Sequence, residues 1–152
     1  MTRRRITLLA LAAVLAAAAT PARADPVDKA AITVVDGDSI SVSGQEWRLR
    51  GFDAAEIGRA QCEAERRLGL LTQRRLEQLL AAASKVELEG GTEHDRYRRP
   101  LGDLVLDGRN VREVLLAEGW VRPYNGGPRK GWCSRDSRDD LVPGPPPVPK
   151  RR

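Results

Sequence analysis

The apolar positions of this chain fall first into short alternations and then into a helical spacing. Ala31 to Val35 (AITVV) is a compact β-branched run and predicts a strand. Asp36-Gly37-Asp38 is a tight-turn signal, and Ser39 to Val42 alternates again, so the two runs predict a hairpin. Ser43-Gly44 turns the chain into a third strand, Gln45 to Phe52, in which Trp47 and Leu49 alternate with Arg48 and Arg50. From Arg59 to Ala83 the period changes. Leu68, Leu71, Leu76, Leu79 and Leu80 recur at helical intervals, with Arg66, Arg67, Arg74 and Arg75 between them. This predicts a long amphipathic helix with a solvated arginine face. Lys85 to Leu88 predicts a fourth strand, and Pro100 to Leu106 a fifth that ends at Asp107-Gly108. Asn110 is placed to cap a second helix, Val111 to Glu118, closed by Gly119, and Trp120 to Tyr124 reads as extended.

A three-strand meander, a crossover helix, two strands and a second helix predict an α+β fold, mainly β. The arrangement that suits this order is a five-stranded Greek-key barrel of the OB type, with the long helix after the third strand and the other after the fifth. The ends of the chain lie outside this pattern. Arg3 to Arg5 precede an apolar run, Ile6 to Ala19, and Ala22-Arg23-Ala24 supplies small residues for a peptidase. Residues 1–24 are therefore read as a signal peptide cleaved after Ala24, with an uncleaved anchor as the alternative. The twin arginines leave general and twin-arginine export both open. Residues 125–141 read as a C-terminal strap, and 142–152, dominated by proline, as a disordered tail.

Removing the leader alters the charge. Four of the 26 Lys and Arg residues lie in residues 1–24, which leaves 22 against 21 Asp and Glu. A mature charge of +1 carries no argument for nucleic acid, so any phosphate site must come from where the arginines cluster. The two cysteines, Cys62 and Cys133, are exported together, which makes a disulfide the expectation and two buried thiols the alternative. The single histidine, His94, and the absence of a CxxC pair argue against a structural zinc site.

Four groups of polar residues interrupt the pattern: Asp36 with Asp38, Arg48, Asp53 with Glu56, and Asp95-Arg96-Tyr97-Arg98-Arg99. Each alone reads as a turn, a strand face or a helix cap. Together, in the order VVDGDSI, WRLRGFDAAE, DRYRRPL and VREVLLAEGW, they resemble the thermonuclease family, the staphylococcal-nuclease-like secreted nucleases, over residues 31 to 124. The resemblance implies calcium-dependent hydrolysis of phosphodiester bonds in DNA and RNA by a secreted or periplasmic monomer without stable membrane association. It assigns Asp38, Asp53 and the backbone carbonyl of Ala54 to calcium, with Asp36 behind them. Oxygen ligands are what that hard cation takes. It assigns Glu56 as general base, and Arg48 and Arg99 as the pair gripping the scissile phosphate. Arg96, Tyr97 and Tyr124 correspond to positions that hold a neighbouring phosphate and nucleotide.

The chain departs from the family pattern where Ala55 replaces a common proline, where Arg98 and Pro100 replace common glycines, and where a third helix gives way to the short Trp132-Cys133 end. A Cys62–Cys133 bridge is expected to replace that helix. The alternative function is an inactive module of the same type that binds single-stranded nucleic acid. Strict alternation would put Arg48 and Asp53 on opposite faces of one strand, so a shared site requires the chain to bend at Gly51.

Overall fold

The structure, a computed structural model, describes residues 25–133. The leader, the end of the strap from residue 134 and the proline-rich tail lie outside the described residues. The elements are β1 (Asp25–Pro26), a 3-10 turn, β2 (Ile32–Asp36), β3 (Ser39–Val42), β4 (Gln45–Leu49), β5 (Phe52–Asp53), α1 (Glu63–Ala82), β6 (Val86–His94), β7 (Pro100–Leu106), β8 (Arg109–Asn110), α2 (Val111–Ala117) and β9 (Arg122–Pro123). The architecture is mixed α+β, mainly strands, with the expected meander in β2, β3 and β4. Strand β4 also pairs in parallel with β7, through Arg48 opposite Leu101 and Leu49 opposite Gly102.

The expected closed barrel is not formed. The main sheet is open, in the order β1-β6-β7-β4-β3-β2, with β8 on β7. Both edges are blunted locally. β1 occupies the outer edge of β6. Helix α1 lies over β2, where the Gln73 side chain donates to the Val35 carbonyl at 2.9 Å and more weakly to that of Val34. Main-chain groups that closure would have paired are thus partly met by a side chain.

The core lies between the sheet and the two helices. Ile32, Val34, Ile40 and Leu49 from the meander meet Leu88 and Leu104 from the second hairpin, under Leu68, Leu76 and Leu80 of α1 and Leu115 of α2. Leu71, expected on the inner face, is instead 37% exposed. Arg75, expected in solvent, turns towards α2 and forms a bidentate pair with Glu118 at 2.7 and 2.6 Å. The second helix begins as its sequence requires. The Asn110 side chain accepts the Arg112 N–H at 2.9 Å, and Gly119 ends the element with a φ of +75°. Among the described residues, no helix is long and apolar enough to cross a membrane.

Gly51 is where the third predicted strand breaks. Its φ of +83° lies in the region that only glycine occupies freely. Beyond it, Phe52 and Asp53 leave the main sheet and pair with Pro123 and Arg122. The chain thereby enters the C-terminal strap along the bend, and a disulfide between Cys133 and Cys62, the residue before α1, fastens the strap.

The bridge links residues 71 apart, and a loop of that length predicts a stabilisation of about 4 kcal/mol. The double variant Cys62→Ser/Cys133→Ser is expected to lose stability of that order in urea unfolding. A loss within experimental error would show that the strap is held by its other contacts.

Candidate functional site

Two turns and one bend gather the acids. In the turn between β2 and β3, the Asp36 carboxylate accepts the Asp38 N–H at 3.1 Å. The chain turns Asp38 inward, to 6% exposure. Its Oδ2 accepts the Ala54 N–H at 2.9 Å, and its Oδ1 accepts the Ser39 hydroxyl at 3.2 Å. Arg48 approaches the same carboxylate through Nη1. The Arg48 guanidinium is buried and also donates to the carbonyls of Asp38 and Phe52, each at 3.0 Å. Its Nη2 lies 3.7 Å from Asp53 Oδ1. The bend at Gly51 thus brings Arg48 and Asp53 together despite their expected opposite faces. Helix α1 comes close enough to support the loop that follows. A Cβ at Gly69 would lie 2.7 Å from the Ala55 carbonyl oxygen and 2.9 Å from that of Glu56.

Two residues that contact the acids Asp53 and Glu56 were not singled out from sequence, and both come from the strap. Arg129 donates from Nη1 to Glu56 Oε1 at 2.7 Å, and its Nε lies 3.1 Å from Asp53 Oδ1. Trp132 donates its indole N–H to Asp53 Oδ2 at 3.1 Å. The strap is shaped for this by local bonds: Tyr124 donates its hydroxyl to the Gly127 carbonyl, Arg122 donates to that of Gly131, and Arg122 also stacks on the Trp132 ring at 3.7 Å. No hydrophobic period runs through this glycine- and proline-rich segment. The one sequence signal that could have brought Arg129 to the site was the cysteine pair, which returns the strap to the start of α1.

The remaining predicted residues form a basic wall. Arg99 donates from Nε to Asp95 at 2.8 Å and from Nη1 to Glu46 at 2.7 Å and to the Ser39 hydroxyl at 3.2 Å. Glu46, also not singled out from sequence, therefore helps to orient it. Burial pushes the Asp95 carboxyl up, but bonds from the Arg99 and Tyr97 N–H groups and the Arg99 guanidinium outweigh this and hold it below its ordinary value. Arg96 lies over the Tyr97 ring at 4.8 Å and donates to its hydroxyl. Arg98 adopts a φ of +65°, which accounts for the glycine expected there and strains the turn by about 1–2 kcal/mol. Arg48, Arg99, Arg96, Tyr97, Tyr124 and Arg129 all line one cleft of about 1160 Å³. Asp38, Asp53 and Glu56 lie behind Arg48 and Arg129 rather than on its lining.

The donors fit a hard cation by chemistry. Asp38, Asp53 and the Ala54 carbonyl offer oxygen alone. Asp53 Oδ1 is buried and has no hydrogen-bond donor, because the nearby Arg129 Nε supplies charge without alignment. Burial raises the Asp53 carboxyl above its ordinary value, against the pull of Arg129 and of the Trp132 bond. In this arrangement guanidiniums stand among the acids. Among the described residues, the one trio of candidate ligands within 4.8 Å of each other is Cys62, Glu65 and Cys133. Its cysteines are bonded together, so it offers no thiolate. No protein-family model matches the chain, and a search of curated proteins returned no match.

Burial, reinforced by the charge of Asp38, raises the Asp36 carboxyl to about 6 from an ordinary 3.8. The folded state then holds this proton more tightly than the unfolded state. Stability from Asp36 is full below the unfolded value and falls as pH rises towards 6. Without divalent cation, Asp36→Asn is expected to raise stability at pH 7.5 by roughly 1–3 kcal/mol, and to change it little at pH 3.5. Urea unfolding at the two pH values measures this, and an equal effect at both would assign the change to packing.

Proposed function

We propose that this chain is an exported, calcium-dependent nuclease that hydrolyses phosphodiester bonds of DNA and RNA, built on a sheet of the OB type. One observation carries the reading: Arg48, Arg99 and Arg129 line a single cleft, and behind its wall Arg48 approaches Asp53 while Arg129 pairs with Asp53 and Glu56. Guanidiniums suit a phosphate, and the acids suit a cation and a base. The ordered motifs that resemble the thermonucleases support the same reading. The apolar leader and the disulfide support export.

Asp38, Asp53 and the Ala54 carbonyl would hold the cation, which when bound supplies charge neutralisation and a more acidic water. Glu56 takes the proton of the attacking water as its oxygen bonds to phosphorus, and the leaving oxygen departs with the electron pair of the broken bond. Arg99, braced by Asp95 and Glu46, meets the negative charge that grows on the phosphoryl oxygens. Arg48 adds its charge from within the wall. Tyr97 and Tyr124 offer faces for bases, and Arg96 a contact for the adjoining phosphate.

Arg129 stands beside this chemistry: its Nη1 donates to Glu56 Oε1, which leaves Oε2 to accept the proton of the water. The same contact favours a second reading, a module that binds single strands without cleaving them, since Arg129 already neutralises the acids. Cleavage decides between the two. The mature chain is expected to degrade single-stranded DNA and RNA with calcium and to stop with chelator. Glu56→Gln is expected to lower kcat by about 10²–10⁴-fold, while the exposed Arg66→Ala changes little. Binding without cleavage under any divalent ion would favour the second reading.

Arg129→Ala is expected to tighten calcium binding by about tenfold or more, since it removes a positive charge next to the ligand carboxylates. Calorimetric titration without substrate measures this. An unchanged affinity would show that Arg129 and the cation do not compete.

A further inference from the structure

The basic cleft continues beyond Arg48 and Arg99 to two arginines that the proposed chemistry does not use. Arg50 follows the end of β4, and Arg112 lies in the first turn of α2. Both line the cleft, and both converge on one carboxylate, Asp103 of β7. Arg50 donates to Asp103 Oδ2 from Nε at 2.9 Å and again from Nη2. Arg112 Nη1 donates to Oδ1 at 3.3 Å, where the Asn110 amide also donates at 3.1 Å.

The charges do not cancel. The Asp103 side chain is 11% exposed, whereas those of Arg50 and Arg112 are 34% and 35% exposed. One recessed negative charge therefore braces two guanidiniums that reach the cleft. The further acid, Glu93, is 3.6 Å from Arg50 but 69% exposed, and an ion pair so solvated neutralises little. Each guanidinium carries five donors, of which Asp103 takes only a part. The pair is also held in place. Arg112 packs against the bend, with its Cδ 2.7 Å from where a Cβ of residue 51 would be. The Arg50 N–H donates to the Gly102 carbonyl at 2.9 Å. Rigid planar forks with spare donors, in a cleft already lined by Arg48 and Arg99, suit the oxygens of a phosphodiester.

We propose that Arg50 and Arg112, braced by Asp103, form a second phosphate subsite that holds an internal phosphate of the strand apart from the scissile one. The inference rests on the phosphodiester reading above. Backbone contacts of this kind position a strand without reading its sequence. The subsite therefore selects by length: strands that reach both sites bind more tightly than those that fill one.

Fluorescence anisotropy in chelator, where no strand is cut, tests this with a labelled trinucleotide and a labelled dodecanucleotide of single-stranded DNA. For Arg50→Gln/Arg112→Gln, dodecanucleotide affinity is expected to fall about tenfold, and the salt dependence of log K to become shallower by about 0.7 for each phosphate no longer neutralised. Trinucleotide affinity is expected to stay within about twofold, since it fills one subsite. Arg50→Lys/Arg112→Lys is expected to recover much of the salt slope. Equal loss at both lengths, with a lower melting temperature, would assign the pair to structure and overturn the proposal. Undiminished dodecanucleotide binding with cleavage intact would overturn the subsite alone. A wild type that binds neither strand in chelator would overturn the subsite, and absence of cleavage with calcium as well would overturn the nuclease reading with it.

Discussion

The buried guanidinium of Arg48 is the constraint around which the site is arranged. A buried charge must be paired and hydrogen-bonded, because the cost of leaving water is otherwise several kcal/mol. Arg48 meets that demand with the Asp38 carboxylate and carbonyl and with the Phe52 carbonyl. Those partners belong to the turn before β3 and to the segment after Gly51. One side chain thus ties the first hairpin to the bend, and Asp53 and Ala54 are held beside Asp38 as a result.

The strap completes what that bend begins. Phe52 and Asp53 would end as a loose edge if Pro123 and Arg122 did not pair with them. Beyond Tyr124 the segment has little apolar content to bury, so its position depends on polar bonds, the Trp132 ring and the disulfide. Arg129 arrives at Asp53 and Glu56 by this route. Within the acids, the guanidinium does part of what a cation would do: it offsets their mutual repulsion and the loss of water around them. The site is thereby compatible with a folded state at neutral pH before any ion binds.

Much of the framework was legible because local rules and tertiary demands agreed. The β-branched run Ala31 to Val35, the alternation of Ser39 to Val42, the Asn110 cap and the Gly119 stop all describe short-range physics. Legibility failed where a distant partner decided. Strand β6 runs on to His94 past two glycines because β7 lies beside it, although its own sequence loses the apolar pattern after Leu88. Leu71 fits the helical period, yet it is 37% exposed, with no partner among the described residues across the helix to bury it fully. Arg75 leaves the solvated face because Glu118 is within reach.

The same division runs through the candidate site. Asp36, Asp38, Arg48, Asp53, Glu56 and Arg99 could be named from sequence, since they interrupt otherwise regular patterns in a specific order. The bend at Gly51 could be named as a requirement, because only glycine adopts its φ of +83° without strain. What the sequence alone determined is therefore the meander, the two helices, the order of the main elements and most of the polar residues of the candidate site, but not the short strands β1, β8 and β9. Only the tertiary structure decided that the sheet stays open, that Arg129 and Trp132 join the acids, and that Asp103 gathers Arg50 and Arg112. These are pairings between residues far apart in the chain. No period, cap or turn encodes them, because their energies exist only once the core and the disulfide have brought the partners together.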